Sequence, residues 1–189
     1  MHLRTTFYCS LAAILLFCSG SAIAQQNRKL GVPQNDNAVK YPDETDKAFL
    51  KQAAVGGAAE IQLGQMAEKK ASNPQVKQFG ARMVKDHSQN ADLLTQVAQS
   101  QNLSLPTRLT PKYQDAEAQL SRQAGPQFDN AYMKMMVQDH METVAKFKKE
   151  AATSQNPTVK KYAQESLPVL ESHLQQARQI AAQLQQGAK

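Results

Sequence analysis

From about residue 45 to residue 186 the chain repeats one pattern. Apolar or small residues recur at helical spacing at Phe49, Ala53, Gly56, Leu63 and Ala67, and again at Val76, Phe79, Met83, Leu94 and Val97. A third series runs Phe128, Tyr132, Met136, Val144, Phe147, and a fourth Val159, Tyr162, Ser166, Leu170, Ala177, Leu184. Steps of three, four and seven place such residues on one face of a helix. The alternating β-branched or aromatic runs that mark strands are almost missing. The pattern predicts an all-α chain with four long helices, over about 45–71, 74–100, 126–153 and 157–186.

The breaks between these segments carry their own chemistry. Asn73-Pro74 and Asn156-Pro157 each offer an N-cap acceptor followed by a proline at the first helical position. Each predicts a tight turn between antiparallel helices. NPQVKQFGA at 73–81 also aligns with NPTVKKYAQ at 156–164, and MVKDH at 83–87 with MVQDH at 136–140. Two helical hairpins therefore read as copies of one unit, which predicts an antiparallel four-helix bundle. Residues 101–125 join them, with Pro106, Pro111 and a Gly125-Pro126 stop around one short helix near 112–122. This connection either runs along the bundle, as in ferritin-like folds with one crossover, or packs across one end.

Four positions interrupt the apolar stripes with polar side chains: Glu60, His87, His140 and His173, one on each helix. Glu60 lies 13 residues before Asn73 and His87 lies 14 after it, while His140 lies 16 before Asn156 and His173 lies 17 after. Equal distance from the turn of an antiparallel hairpin means equal height. The hairpins differ by three residues, or about 4.5 Å of rise, so one polar layer is expected in mid-bundle. A buried carboxylate needs a partner, and a buried imidazole needs one at both nitrogens. Either a Glu-His hydrogen-bond network fixes helix register, or the four residues ligate a metal ion, for which three imidazoles and a carboxylate are suitable. Copper, zinc, iron and manganese are the candidates.

Neighbours of this layer leave alternatives open. Asp86 and Asp139 sit about 100° around the helix from their histidines. They either accept an N–H from a histidine on a neighbouring helix or are ordinary surface aspartates. Met83 and Met136, one turn before His87 and His140, suit copper as soft donors, or they fill the core. Gly56-Gly57 is expected to admit another helix closely. Pro168 is expected to kink the last helix about one turn before His173.

The N-terminus departs from the pattern. MHLRTTFYCSLAAILLFCSGSAIA, residues 1–24, has a charged start, an apolar run and a small-x-small ending, which predicts a cleaved export signal. Residues 25–42 are polar and aperiodic and read as a leader, with the folded domain over 43–187. The bulky Phe17 before Cys18 argues against a lipid-anchored cysteine. Cleavage removes both cysteines, His2 and Arg4, so the charge falls from +6 to +5 and thiol chemistry is excluded from the mature chain. No later apolar run approaches the roughly 18 residues that span a bilayer. Periplasmic or secreted localisation is expected. The positive charge is dispersed, and no nucleic-acid-binding motif accompanies it. No phosphate loop, nucleophile elbow or catalytic serine arrangement is present, which leans away from an enzyme; a third possibility, catalysis, would need a metal with an open coordination position.

The motifs AAVGGAAEIQLGQMA, FGARMVKDH, FDNAYMKMMVQDH and LPVLESHL, in that order over residues 43–185, resemble an exported bacterial family treated as ferritin-like, the domain of unknown function 4142. The resemblance implies a four-helix domain with an export signal and supplies no activity. The Glu-x-x-His signature of di-iron bundles is absent, since Val84, Val137 and Leu170 stand three residues before the histidines. Two functions follow from the residues. One is a transition-metal-binding bundle in metal handling or envelope and oxidative stress; the other is a metal-free structural or interaction bundle at the envelope.

Overall fold

The computed structural model describes residues 41–187. The expected export signal and nearly all of the expected leader lie outside these residues. Five helices are present: α1 (Glu44–Lys70), α2 (Pro74–Ser100), α3 (Pro111–Ser121), α4 (Gly125–Thr153) and α5 (Pro157–Gly187). No strand occurs among the described residues. Asn73 Oδ1 accepts from Gln75 N at 2.8 Å, and Asn156 Oδ1 from Thr158 N and Val159 N at 3.0 and 3.1 Å. Both helices open on a proline, so the donor missing at that position costs no helical bond.

Helices α1 and α2 pack as one hairpin and α4 and α5 as the other, with α2 against α5 and α1 against α4. Polar contacts at the ends set the directions. Near the α1–α2 turn, Asp129 at the start of α4 accepts from Ser72 N, Ser72 Oγ and Asn73 N. At the opposite end, Ser154 Oγ donates to Asp46 Oδ1 at 2.7 Å, and Asn156 Nδ2 to Gln101 Oε1 at 2.7 Å. Every neighbouring pair around the ring is therefore antiparallel. Helix α2 ends at the end opposite to the start of α4, so the connection travels the length of the bundle. Of the two routes the sequence left open, the crossover is the one taken. Helix α3 belongs to it and packs on α1 and α4. Its exit is held where Lys70 Nζ donates to Ser121 O and Gln123 O.

The apolar core is divided. One cluster contains Leu63, Phe79, Met83, Phe128, Tyr132, Met136, Ala177 and Ile180. The other contains Phe49, Leu50, Leu94, Val97, Val144, Phe147, Tyr162 and Leu170. On each long helix the sequence passes from one cluster to the other through Glu60, His87, His140 or His173, all buried. The polar layer is the boundary.

The close helix approach occurs elsewhere than expected. A Cβ on Gly64 would lie 2.7 Å from Gly80 O, and one on Gly80 would lie 2.8 Å from Gly64 O. These two glycines, rather than Gly56-Gly57, let the α1 and α2 backbones touch. Gly56 faces Tyr113 Oη of α3, and Gly57 faces the His87 ring. Ala53 and Gly56 are only partly buried; the inward face there is carried by Leu50, Val55 and Ala59. Ser166, a polar member of the fourth stripe, accepts from Asn90 Nδ2, while Tyr162 Oη donates to Asn90 Oδ1. Pro168 lies inside α5, which runs unbroken past His173.

Candidate metal centre

Each of the four long helices brings one side chain to the layer. One ligand atom from each of His87, His140 and His173 lies within 4.8 Å of the others. Their ring centroids are 5.3 to 5.9 Å apart. Glu60 joins two of them: Oε2 is 3.0 Å from His87 Nε2 and Oε1 is 3.3 Å from His140 Nδ1. Glu60 is 2 % exposed, and His140 and His173 are 0 % exposed. Each turn levels the pair on its own hairpin, and because the two turns lie at opposite ends of the bundle, it is the mid-helix position of all four residues that brings the two pairs together.

Hydrogen-bond partners assign the protons on two rings. His140 Nδ1 lies 3.0 Å from Met136 O, a carbonyl that can only accept, so that nitrogen carries the hydrogen. His173 Nε2 lies 2.8 Å from Asp86 Oδ2 and donates to it. In the neutral form of each ring the remaining nitrogen, His140 Nε2 or His173 Nδ1, is a bare lone pair. Both are buried without a partner among the protein atoms, as are His87 Nε2 and Glu60 Oε1. The short approach of His87 Nε2 to Glu60 Oε2 lacks the alignment of a hydrogen bond.

Electrostatics point the same way. Burial pushes the His173 pKa down to about 3, and the nearby His87 and His140 add to this, while the bond to Asp86 opposes it. The ring is neutral at ordinary pH. Burial tends to raise Asp86, but the bonds from His173 and Arg82 outweigh it and hold the carboxyl below its usual range. Asp86 is thus a firm anion that orients an imidazole, the support a metal-ligating histidine usually has.

Asp86 meets the expectation of a neighbouring-helix histidine; Asp139 does not. Its carboxylate accepts from Tyr113 Oη at 3.2 Å and pairs with Lys112 Nζ at 3.2 Å, both on α3. The crossover brings a phenol and an ammonium to the place where a histidine was anticipated. Burial, then the charge of Glu60, raises the Asp139 pKa despite Lys112. Met83 and Met136 are fully buried in the first apolar cluster. Met136 reaches the centre through its backbone carbonyl.

Sequence reading missed Arg82, which donates from Nε to Asp86 at 3.1 Å, from Nη1 to Gln176 at 2.6 Å and from Nη2 to Ser172 at 3.0 Å. An arginine four residues before an aspartate was the only signal, and surface helices carry many such pairs. It also missed Tyr113 and Lys112.

A family model described as a domain of unknown function, DUF4142, matches residues 32–180. The chain belongs to this family. Two solved structures share the fold of this DUF4142 chain. A DUF305 fragment from Deinococcus radiodurans superposes with a TM-score of 0.68 at 10 % identity, covering 76 % of this chain and 99 % of that one. CopM in its silver-bound form superposes with a TM-score of 0.58 at 18 % identity, covering 71 % and 93 %. At these identities the likeness is one of helical architecture. Comparison with curated proteins gives no match.

Proposed function

We propose that this protein is an exported metal-binding bundle in which His87, His140, His173 and Glu60 take a transition-metal ion, serving metal handling or protection of the envelope against metal and oxidative stress. Support comes from one observation above the others: a ring nitrogen from each of three buried histidines lies within 4.8 Å of the others, and His87 Nε2, His140 Nε2 and His173 Nδ1 have no partner among the protein atoms. The metal-free alternative leaves those nitrogens unmet, and each buried unsatisfied polar group costs on the order of 1–3 kcal/mol. A bridging water can donate only two hydrogen bonds, and protonation is opposed by the depressed His173 pKa. A cation satisfies all the lone pairs at once. Three neutral imidazoles with one carboxylate suit zinc or copper(II) better than magnesium or calcium. The silver in the CopM structure agrees with a late transition metal on this architecture. Export rests on residues 1–24.

Elemental analysis of protein purified without a chelating tag tests this reading. One equivalent of zinc or copper per folded chain is expected, falling to background when His87, His140 and His173 are all replaced by alanine in a chain that keeps its helical circular dichroism. Equal metal in both proteins would leave the metal-free bundle as the account.

A further inference from the structure

A cavity of about 540 Å³ opens beside the centre, between α1, the crossover with α3, and α4. This size lies within the range of small-molecule sites. The exposure of its lining residues orders it from inside to outside. Glu60 and His87 lie at the buried end, Phe49, Phe147 and Leu170 form buried apolar walls, and Lys51, Arg108, Lys112 and Lys146 stand at the exposed rim. Gly56 and Gly57 also line it, with no Cβ to fill the space.

The four rim cations face a lining whose only carboxylate is Glu60. Lys112 is spoken for, since it pairs with Asp139 and Glu142. Lys51, Arg108 and Lys146 make no ion pair within 4 Å among the described residues, although the charges of Lys51 and Lys146 are felt by Glu44 and Glu142. Clustered cations at the mouth of a low-dielectric cleft attract anions. Charge alone would admit any anion, but the buried walls are aromatic and aliphatic. A ligand that uses both features carries an anionic group at one end and hydrocarbon behind it.

We propose that this cavity binds a small organic carboxylate, its hydrocarbon body against Phe49, Phe147 and Leu170 and its carboxylate held by Lys51, Arg108 and Lys146. The cavity shares Glu60 and His87 with the metal reading as its buried end, but the proposed contacts are other residues and do not depend on that reading.

Calorimetric titration of the full mature chain, freed of metal on a chelating resin, reads the anion site by itself. Three probes separate the features: octanoate has charge and hydrocarbon, 1-octanol has the hydrocarbon alone, and inorganic phosphate has the charge alone. Octanoate is expected to bind at least tenfold more tightly than either. The Lys51→Gln/Arg108→Gln/Lys146→Gln variant is expected to lose at least tenfold in octanoate affinity. A Lys77→Gln/Lys134→Gln/Arg178→Gln variant, equal in charge change but away from the cavity, should bind as wild type does. All six side chains are exposed, so both variants should fold. The proposal is overturned if octanoate does not bind, if 1-octanol or phosphate binds equally well, or if the two variants behave alike. Failure of the elemental analysis leaves this result untouched, and failure here leaves the metal reading untouched.

Discussion

At the scale of single residues, the bare nitrogens of His140 and His173 set the chemistry, and Asp86 sets one of them. Because Asp86 accepts the Nε2 hydrogen, His173 is committed to presenting Nδ1 inward. Asp86→Asn keeps an acceptor but removes the charge. Competition against a chromogenic chelator should show metal affinity about 10- to 100-fold weaker in that variant; unchanged affinity would mean Asp86 does not support a ligand. The depressed pKa of His173 has a sign that can be read without metal. In the unfolded chain the ring titrates near 6.5, and in the fold near 3. As pH drops below about 6.5 the unfolded state gains a proton that the folded state refuses. Stability contributed above that pH is therefore lost, at up to about 1.4 kcal/mol per unit, as pH falls toward about 3. Urea unfolding of stripped protein from about pH 7.5 to about pH 5 should show a falling midpoint, and His173→Gln should flatten the fall. Glu150, raised to about 7 chiefly by burial and then by Asp46, has the opposite slope between about 4.5 and 7. The comparison with His173→Gln isolates the histidine. A midpoint equally pH-dependent in both proteins would contradict the assignment.

Among the helices, the α1–α2 contact gives a test in which local preference and packing oppose each other. Alanine in place of a mid-helix glycine normally stabilises by about 1 kcal/mol. At Gly64 the new Cβ would meet the Gly80 backbone oxygen at 2.7 Å and Met83 Cβ at 3.3 Å. Gly64→Ala is expected to destabilise by about 1–3 kcal/mol. Gly56→Ala, whose nearest contact is the Tyr113 hydroxyl at 3.4 Å, should be neutral or mildly stabilising. Chemical denaturation of the pair decides, and the reverse order would refute the close-approach assignment. The four long helices and their turns were legible because Asn-Pro caps and apolar spacing agree, each reporting on its own segment. Which glycine pair lies in the contact was not, because that depends on how α1 rotates against α2. For the same reason Ala53 and Gly56 read as core and are found lining a cavity. Glu60, His87, His140 and His173 were legible as polar breaks in apolar stripes at matched heights. Asp139 read just like Asp86 because the two sit in the same repeated phrase. They diverge only because one faces α5 and the other faces a short connecting helix whose sequence pattern is weak.

For the whole molecule, the duplicated hairpins explain why a site forms at all. Two copies of one hairpin, each with polar residues near the same height, face one another and close four side chains around a point between two apolar clusters. The crossover then covers one side with α3, adds Tyr113 and Lys112, and leaves the cationic cavity beside Glu60 and His87. The fold is the helical architecture shared with the DUF305 fragment and CopM, while the centre is made by this chain's own four side chains. Anomalous diffraction from crystals soaked in turn with zinc and copper(II), collected at each metal's absorption edge, tests that centre most directly. The account predicts one peak per chain between the three rings, about 2.0–2.2 Å from one nitrogen each of His87, His140 and His173 and from a Glu60 oxygen. Peaks confined to surface residues, or none at all with the rings unmoved, would contradict it.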